Sequence, residues 1–147
     1  MATKRSIILR GDPEVNEYGK ASEAIKPGYL VKGVSTVAKQ TGTHRVACGL
    51  AIERDEFGQG IDDKYKGSGT GAAAYASGDQ IKVAVFDAGD EAVVYVASGQ
   101  NISEDDYLTS AGDGTFAETS TAADFMVRAL ESLGVVTTET ALRVQVV

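Results

Sequence analysis

Apolar and polar positions in this chain alternate in short runs, and glycine-rich turn signals cut the runs apart. Ala141 to Val147 is the plainest case. Leu142, Val144 and Val146 fall on one face of an extended chain, with Arg143 and Gln145 on the other. Ile81, Val83 and Val85 alternate with Gln80, Lys82 and Ala84 in the same way; Ala88-Gly89-Asp90 breaks that run before Ala92 to Ala97 begins another. Gly99 to Leu108 reads as a tight surface turn and a rising strand, and Asp113-Gly114 is the strongest hairpin dipeptide present. Phe125 to Leu130 resumes an extended pattern. Earlier in the chain, His44 to Ile52 puts Val46, Cys48, Leu50 and Ile52 on one face, and Tyr29 to Val37 reads as one strand with Gly33 as a bulge. Ser6 to Arg10 is a brief strand stopped by the turn Gly11-Asp12-Pro13. Roughly eight to nine strands result, with turn signals about every 8–12 residues in the second half, which predicts an all-β chain folded as a small β-barrel or sandwich.

Two stretches depart from this rhythm. Val15, Tyr18, Ala21, Ala24 and Ile25 recur at helical spacing, which fits either an amphipathic helix weakened by Gly19 or an extended arm. These modest apolar groups make a poor helix face, so the arm is the stronger reading. Residues 1–28 then form an N-terminal arm ahead of a single β domain over 29–147. Lys26-Pro27-Gly28 closes the arm with a turn, in which proline presets φ and glycine accepts the positive φ that follows. Residues 53–78 carry six glycines and only Phe57, Ile61, Tyr65 and Tyr75 as large apolar groups. That is too little surface to offset the entropy of ordering them, so they read as one long Gly-rich loop inserted between strands, ordering on a partner or docking on a neighbouring subunit.

Composition narrows the function more than the fold. At 147 residues and 43% apolar content, the chain can bury a real core. It holds no apolar run near the roughly 20 residues of a membrane span. Its opening residues lead into an apolar stretch, Ile7-Ile8-Leu9, too short for a signal-peptide core, so an intracellular product is expected. The net charge of −7 argues against duplex nucleic acid, which needs clustered Lys and Arg. The charge is unevenly spread: residues 1–52 hold 8 basic and 4 acidic side chains, whereas residues 79–131 hold 2 basic and 11 acidic. The asymmetry fits two surfaces facing different partners, or solubility alone.

Nothing in the chain assembles a catalytic signature. The one cysteine, Cys48, excludes an intrachain disulfide and a cysteine zinc site, and its apolar run reads as a buried structural thiol. The one histidine, His44, has no nucleophile or orienting acid nearby in sequence and reads as a surface residue. Gly67 to Gly71 lacks the lysine and the helix start that a phosphate loop requires, because Ala72-Ala73-Ala74 follow. Glu104-Asp105-Asp106 and the group Asp87, Asp90, Glu91 lack the spaced oxygen donors of a dedicated calcium loop and read as solvated turns. No catalytic, cofactor or metal residue is therefore expected.

The order of strands and turns in the second half (GDQIKVAVFDAGDE, then GQNISEDDYLTSAGDGTF, DFMVRALES and LRVQVV) resembles the capsid decoration, or cement, proteins of tailed bacteriophages. KPGYLVKGVSTV and HRVACGLAIERD echo it more weakly. The resemblance implies a β-tulip-like fold, no enzyme activity, no cofactor, and a place on the virion exterior after synthesis in the host cytoplasm. Its partners would be the major capsid protein and further copies of the chain, commonly as a homotrimer, with neither nucleic acid nor membrane bound. On that expectation Lys4, Arg5, Arg10, Glu14, Glu17, Tyr18 and Lys20 of the arm contact capsid or a sister subunit. Phe57, Tyr65 and Tyr75 anchor the long loop by burying their rings at an interface. Another phage virion module (a head-fibre or tail knob, or a glycan-binding domain) and a small trimeric hydrolase built on carboxylates are the alternatives.

Overall fold

The computed structural model describes residues 7–53 and 74–147. Its strands are, in chain order, β1 (Ile8–Arg10), β2 (Glu14–Ala21), β3 (Val31–Lys32), β4 (Thr36–Lys39), β5 (Gly49–Ala51) and β6 (Gln80–Val85). After these come β7 (Glu91–Val96), β8 (Asn101–Ile102), β9 (Tyr107–Ser110), β10 (Phe116–Glu118), β11 (Val127–Ala129), β12 (Gly134–Val135) and β13 (Thr140–Val146). One turn of 3-10 helix, Ala122–Asp124, is the only helical element among the described residues. The all-β expectation is met.

Strands β7, β10, β9, β11 and β13 pair in that order, and β13 pairs back onto β7, which closes a five-stranded barrel. The longest seam is β7–β13, antiparallel from Thr140↔Val96 to Gln145↔Glu91. The alternation read in the last strand survives: Leu142, Val144 and Val146 are buried and Arg143 is exposed. Val93 and Val94 are both buried, because β7 has the barrel interior on one face and other parts of the chain on the other. β9 and β10 form the hairpin forecast by Asp113-Gly114. The Asp113 carboxylate accepts from the Thr115 amide at 3.0 Å and from the Thr115 hydroxyl, and Gly114 takes φ +88°.

The second sheet runs β3-β4-β2-β6-β5. An isolated bridge between Leu30 and Leu50, with the Gly28 amide donating to the Ala51 carbonyl at 2.8 Å, draws its two ends together. Residues 8–10, read as a brief strand, and 14–21, read as part of an extended arm, are strands of the two sheets. β1 lies on β7, with Ile8 opposite Ala92. β2 is the inner strand of the second sheet, paired to β6 from Glu14↔Val85 to Lys20↔Gln80 and to β4 at Lys20 and Ala21. The helical spacing of Val15, Tyr18 and Ala21 was produced instead by a strand with a bulge between Glu17 and Lys20. Gly19 sits in that bulge because any Cβ there would stand 1.9 Å from the Ser35 carbonyl oxygen. Tyr29 to Val37 is likewise not one strand. Gly33, at φ +89°, turns the chain between β3 and β4, which pair antiparallel.

Three short turns share one construction. In Ala76–Asp79, Asp87–Asp90 and Ser103–Asp106 the fourth residue is aspartate. Its amide donates back to the first residue's carbonyl at 3.0, 3.1 and 3.0 Å. Its carboxylate accepts from the first residue's amide at 2.8, 3.0 and 2.7 Å. The third residue takes positive φ: Gly78, Gly89 and Asp105. Two of these turns lie in the acidic clusters noted in the sequence, so part of that acidity shapes backbone.

Candidate interaction surface

Lys26 and Tyr29, just ahead of β3, meet Tyr95 of β7 and Glu139, which lies just before β13, and Lys39 of β4 stands 5.5 Å from the centre of the Tyr29 ring. The Tyr29 hydroxyl donates to the Glu139 carboxylate, lying 2.6 and 2.7 Å from its two oxygens, and the Lys26 ammonium stands 2.7 Å from one of them. Lys26 also lies 5.1 Å from the centre of the Tyr95 ring, and Tyr29 meets that ring edge-on at 5.6 Å. Burial, and after it the hydrogen bond to Glu139, hold the Tyr29 phenol above its ordinary pKa. The Lys26-Pro27-Gly28 turn behaves as its sequence predicts: the Tyr29 amide donates to Lys26, and Gly28 has φ +101°. A Cβ on Gly28 would meet the Tyr95 ring at 3.0 Å. These groups fasten the second sheet to the barrel.

The expected contact residues fall into three groups. Lys4, Arg5, Phe57 and Tyr65 lie outside the described residues. Arg10, Glu14, Glu17 and Lys20 are exposed, as a contact surface requires, and the Arg10 guanidinium reaches Glu91 at 3.5 Å. Tyr18 is half-buried and lines a groove of 270 Å³ in the second sheet together with Val31, Val34, Val83 and Val85. Tyr75 is a correction. Its ring is fully buried, Ile25 bridges its backbone, and its hydroxyl donates to the Ile52 carbonyl at 2.7 Å. It belongs to the core of this chain and offers no ring to a partner. Sequence did not show this, because its partners Ile25 and Ile52 lie far from it along the chain.

The Ile7 amide donates to the Glu53 carboxylate at 3.1 Å. Residues 1–6 and 54–73, which hold four of the ten expected contact residues, thus join the described fold at adjoining points. A second cleft, 510 Å³, lies where the second sheet meets the barrel, between Cys48, Phe86, Met126 and Val146. Cys48 forms part of its floor, and burial pushes the thiol up to about 12. His44 is exposed, with Nδ1 3.5 Å from Asp124 Oδ1. Among the described residues, no three His, Cys, Asp or Glu side chains gather as a metal-binding group.

No protein-family model matches the chain, and no curated protein is similar to it in sequence. Among solved structures, its fold is similar to that of the head fibre gp8.5 N base of bacteriophage phi29. The TM-score is 0.54 at 15% sequence identity, over 91% of this chain and 95% of that one.

Proposed function

We propose that this chain is a structural protein of a tailed-phage virion that adheres to the outside of the head, as a decoration protein bridging neighbouring major capsid subunits. The observation that carries this reading is the likeness to a phage head-fibre base over nearly the whole of both chains. The strand-and-turn order that resembles decoration proteins supports it from the sequence side. The physical design fits such a role: a closed barrel, a second sheet fastened to it, and exposed charged positions on β1 and β2. A protein that clamps a lattice gains from many modest contacts made at once by several copies, so a homotrimer is part of the proposal. It works without catalysis or cofactor.

A second reading, the base of a head fibre, is favoured by the identity of the structural neighbour. Both readings place the chain on the head exterior and differ in whether it carries a further fibre. The test is co-sedimentation of the purified chain with heads stripped of it, beside host envelopes as a control. Retention on heads at a saturable stoichiometry supports attachment. Retention on envelopes alone would favour a glycan-binding module and end this proposal.

A further inference from the structure

His44 to Ile52 alternates as a strand in the sequence, yet only its last part is paired. β5 covers Gly49–Ala51, and just ahead of it the Cys48 carbonyl still accepts from the Phe86 amide at 2.9 Å. Before that bond the two chains part, because the turn over residues 87–90 carries the partner away. Arg45, Val46 and Ala47 are left without a neighbouring strand. Among the described residues their amides donate to no group, and of their carbonyls only that of Ala47 accepts, from the Gly49 amide at 3.0 Å. Arg45 and Ala47 are exposed and Val46 is half-buried.

The gap where the chains part is the 510 Å³ cleft between the second sheet and the barrel. Cys48, Phe86, Met126 and Val146 form an apolar floor, and each is buried. Arg45 stands on one bank and Asp87 on the other. Both are exposed, and neither joins an ion pair among the described residues. Ala47 also lines the 270 Å³ groove, so the unpaired segment has open space on either side.

These features define an occupant. A strand edge with free donors and acceptors takes an extended backbone, and an apolar floor takes a side chain. The opposed charges take a carboxylate beside Arg45 and a cation beside Asp87. Every strand of this chain is already paired within it, so a second copy has no spare strand to offer among its described residues. We propose that the cleft seats an extended segment of a major capsid subunit, added as a strand along residues 45–47. One apolar side chain of that segment rests on the floor, and side chains of opposite charge reach Arg45 and Asp87. The inference rests on the attachment reading above and names its contact site.

Backbone hydrogen exchange of the full chain, free and bound to heads stripped of it, reads the added strand directly. In the free chain the amides of Arg45, Val46 and Ala47 should exchange about as fast as unstructured peptide; on heads they should slow by at least about tenfold. Co-sedimentation with the same heads gives the affinity. Ala47→Pro removes a donor that no described group uses, and Arg45→Glu reverses the charge of one bank. Each should weaken retention at least about tenfold, since several copies lose the contact together. Val135→Asp, at an exposed valine outside the cleft, should bind as wild type does. Circular dichroism and urea midpoints verify that each variant is folded. Heads that retain the chain without slowing residues 45–47, or that hold Ala47→Pro and Arg45→Glu as tightly as wild type, would overturn the proposal and leave attachment standing. Amides already slow in the free chain would overturn it too: slowing that depends on concentration would assign the cleft to a second copy, and slowing that does not would assign it to a segment of the same chain. No retention on heads at all would end both readings.

Discussion

Replacing Tyr29 by Phe isolates the joint between the two sheets. The ring is 7% exposed and packs edge-on against Tyr95, so the substitution leaves the packing and deletes only the hydroxyl. That hydroxyl has one proton, shared between Glu139 oxygens at 2.6 and 2.7 Å, so it counts as one bond to a charged acceptor rather than two. Such bonds contribute about 1.5–3 kcal/mol, but the Glu139 side chain is 29% exposed and water can replace the lost donor, so a loss of about 1–2 kcal/mol is expected. The same substitution has a pH signature. The Tyr29 pKa lies above its ordinary value of 10.0 in the folded chain. Above that pH the unfolded chain releases the proton while the folded chain keeps it, so the folded state binds more protons and stability falls as pH rises. The slope approaches about −1.4 kcal/mol per pH unit until the folded group itself titrates. Urea unfolding near neutral pH, and again above about pH 10, measures both effects. The variant should show a lower midpoint at neutral pH and a shallower alkaline decline than wild type. An unchanged midpoint together with an unchanged alkaline slope would refute this account of the joint.

Other perturbations probe separate parts of the fold. Gly19→Ala forces a methyl group into the Ser35 carbonyl and should destabilise by about 2 kcal/mol or more in urea melts; a change below about 0.5 kcal/mol would mean that the bulge yields. Thr109 buries a hydroxyl with no hydrogen-bond partner among the described residues, so Thr109→Val should be neutral or stabilise by up to about 1–2 kcal/mol, and a clear loss would reveal a hidden partner. Cys48, with its thiol pushed up to about 12, should resist a disulfide reagent at mildly alkaline pH until denaturant is added. Rapid labelling of the native protein would contradict its burial.

The second half of the chain was readable because its strands are short alternating or wholly apolar runs bounded by glycine and aspartate turns. β6, β7, β9, β10, β11 and β13 fall where those signals place them. The first half was harder for a specific reason. The bulge in β2 inserts a residue, and the insertion turns a strand's alternation into three-and-four spacing, so Val15, Tyr18 and Ala21 imitate a helix or a loose arm. Gly33 signals a turn and a bulge equally well, and only the β3–β4 pairing separates the two. Tyr75 illustrates a limit on reading sites. Its glycine-rich neighbourhood suggests a loop, yet the backbone bridge to Ile25 and the hydroxyl bond to Ile52, both distant in sequence, commit its ring to the core. The joint of Lys26, Tyr29, Tyr95 and Glu139 carries no sequence signature, since its members come together only when the barrel closes beside the second sheet.

Imaging of phage heads reconstituted with the purified chain tests the central claim most directly. The account predicts density of this two-sheet shape at repeated positions on the outer surface, each copy or oligomer touching at least two capsid subunits. Bare shells at saturating protein, with the chain itself folded, would contradict it.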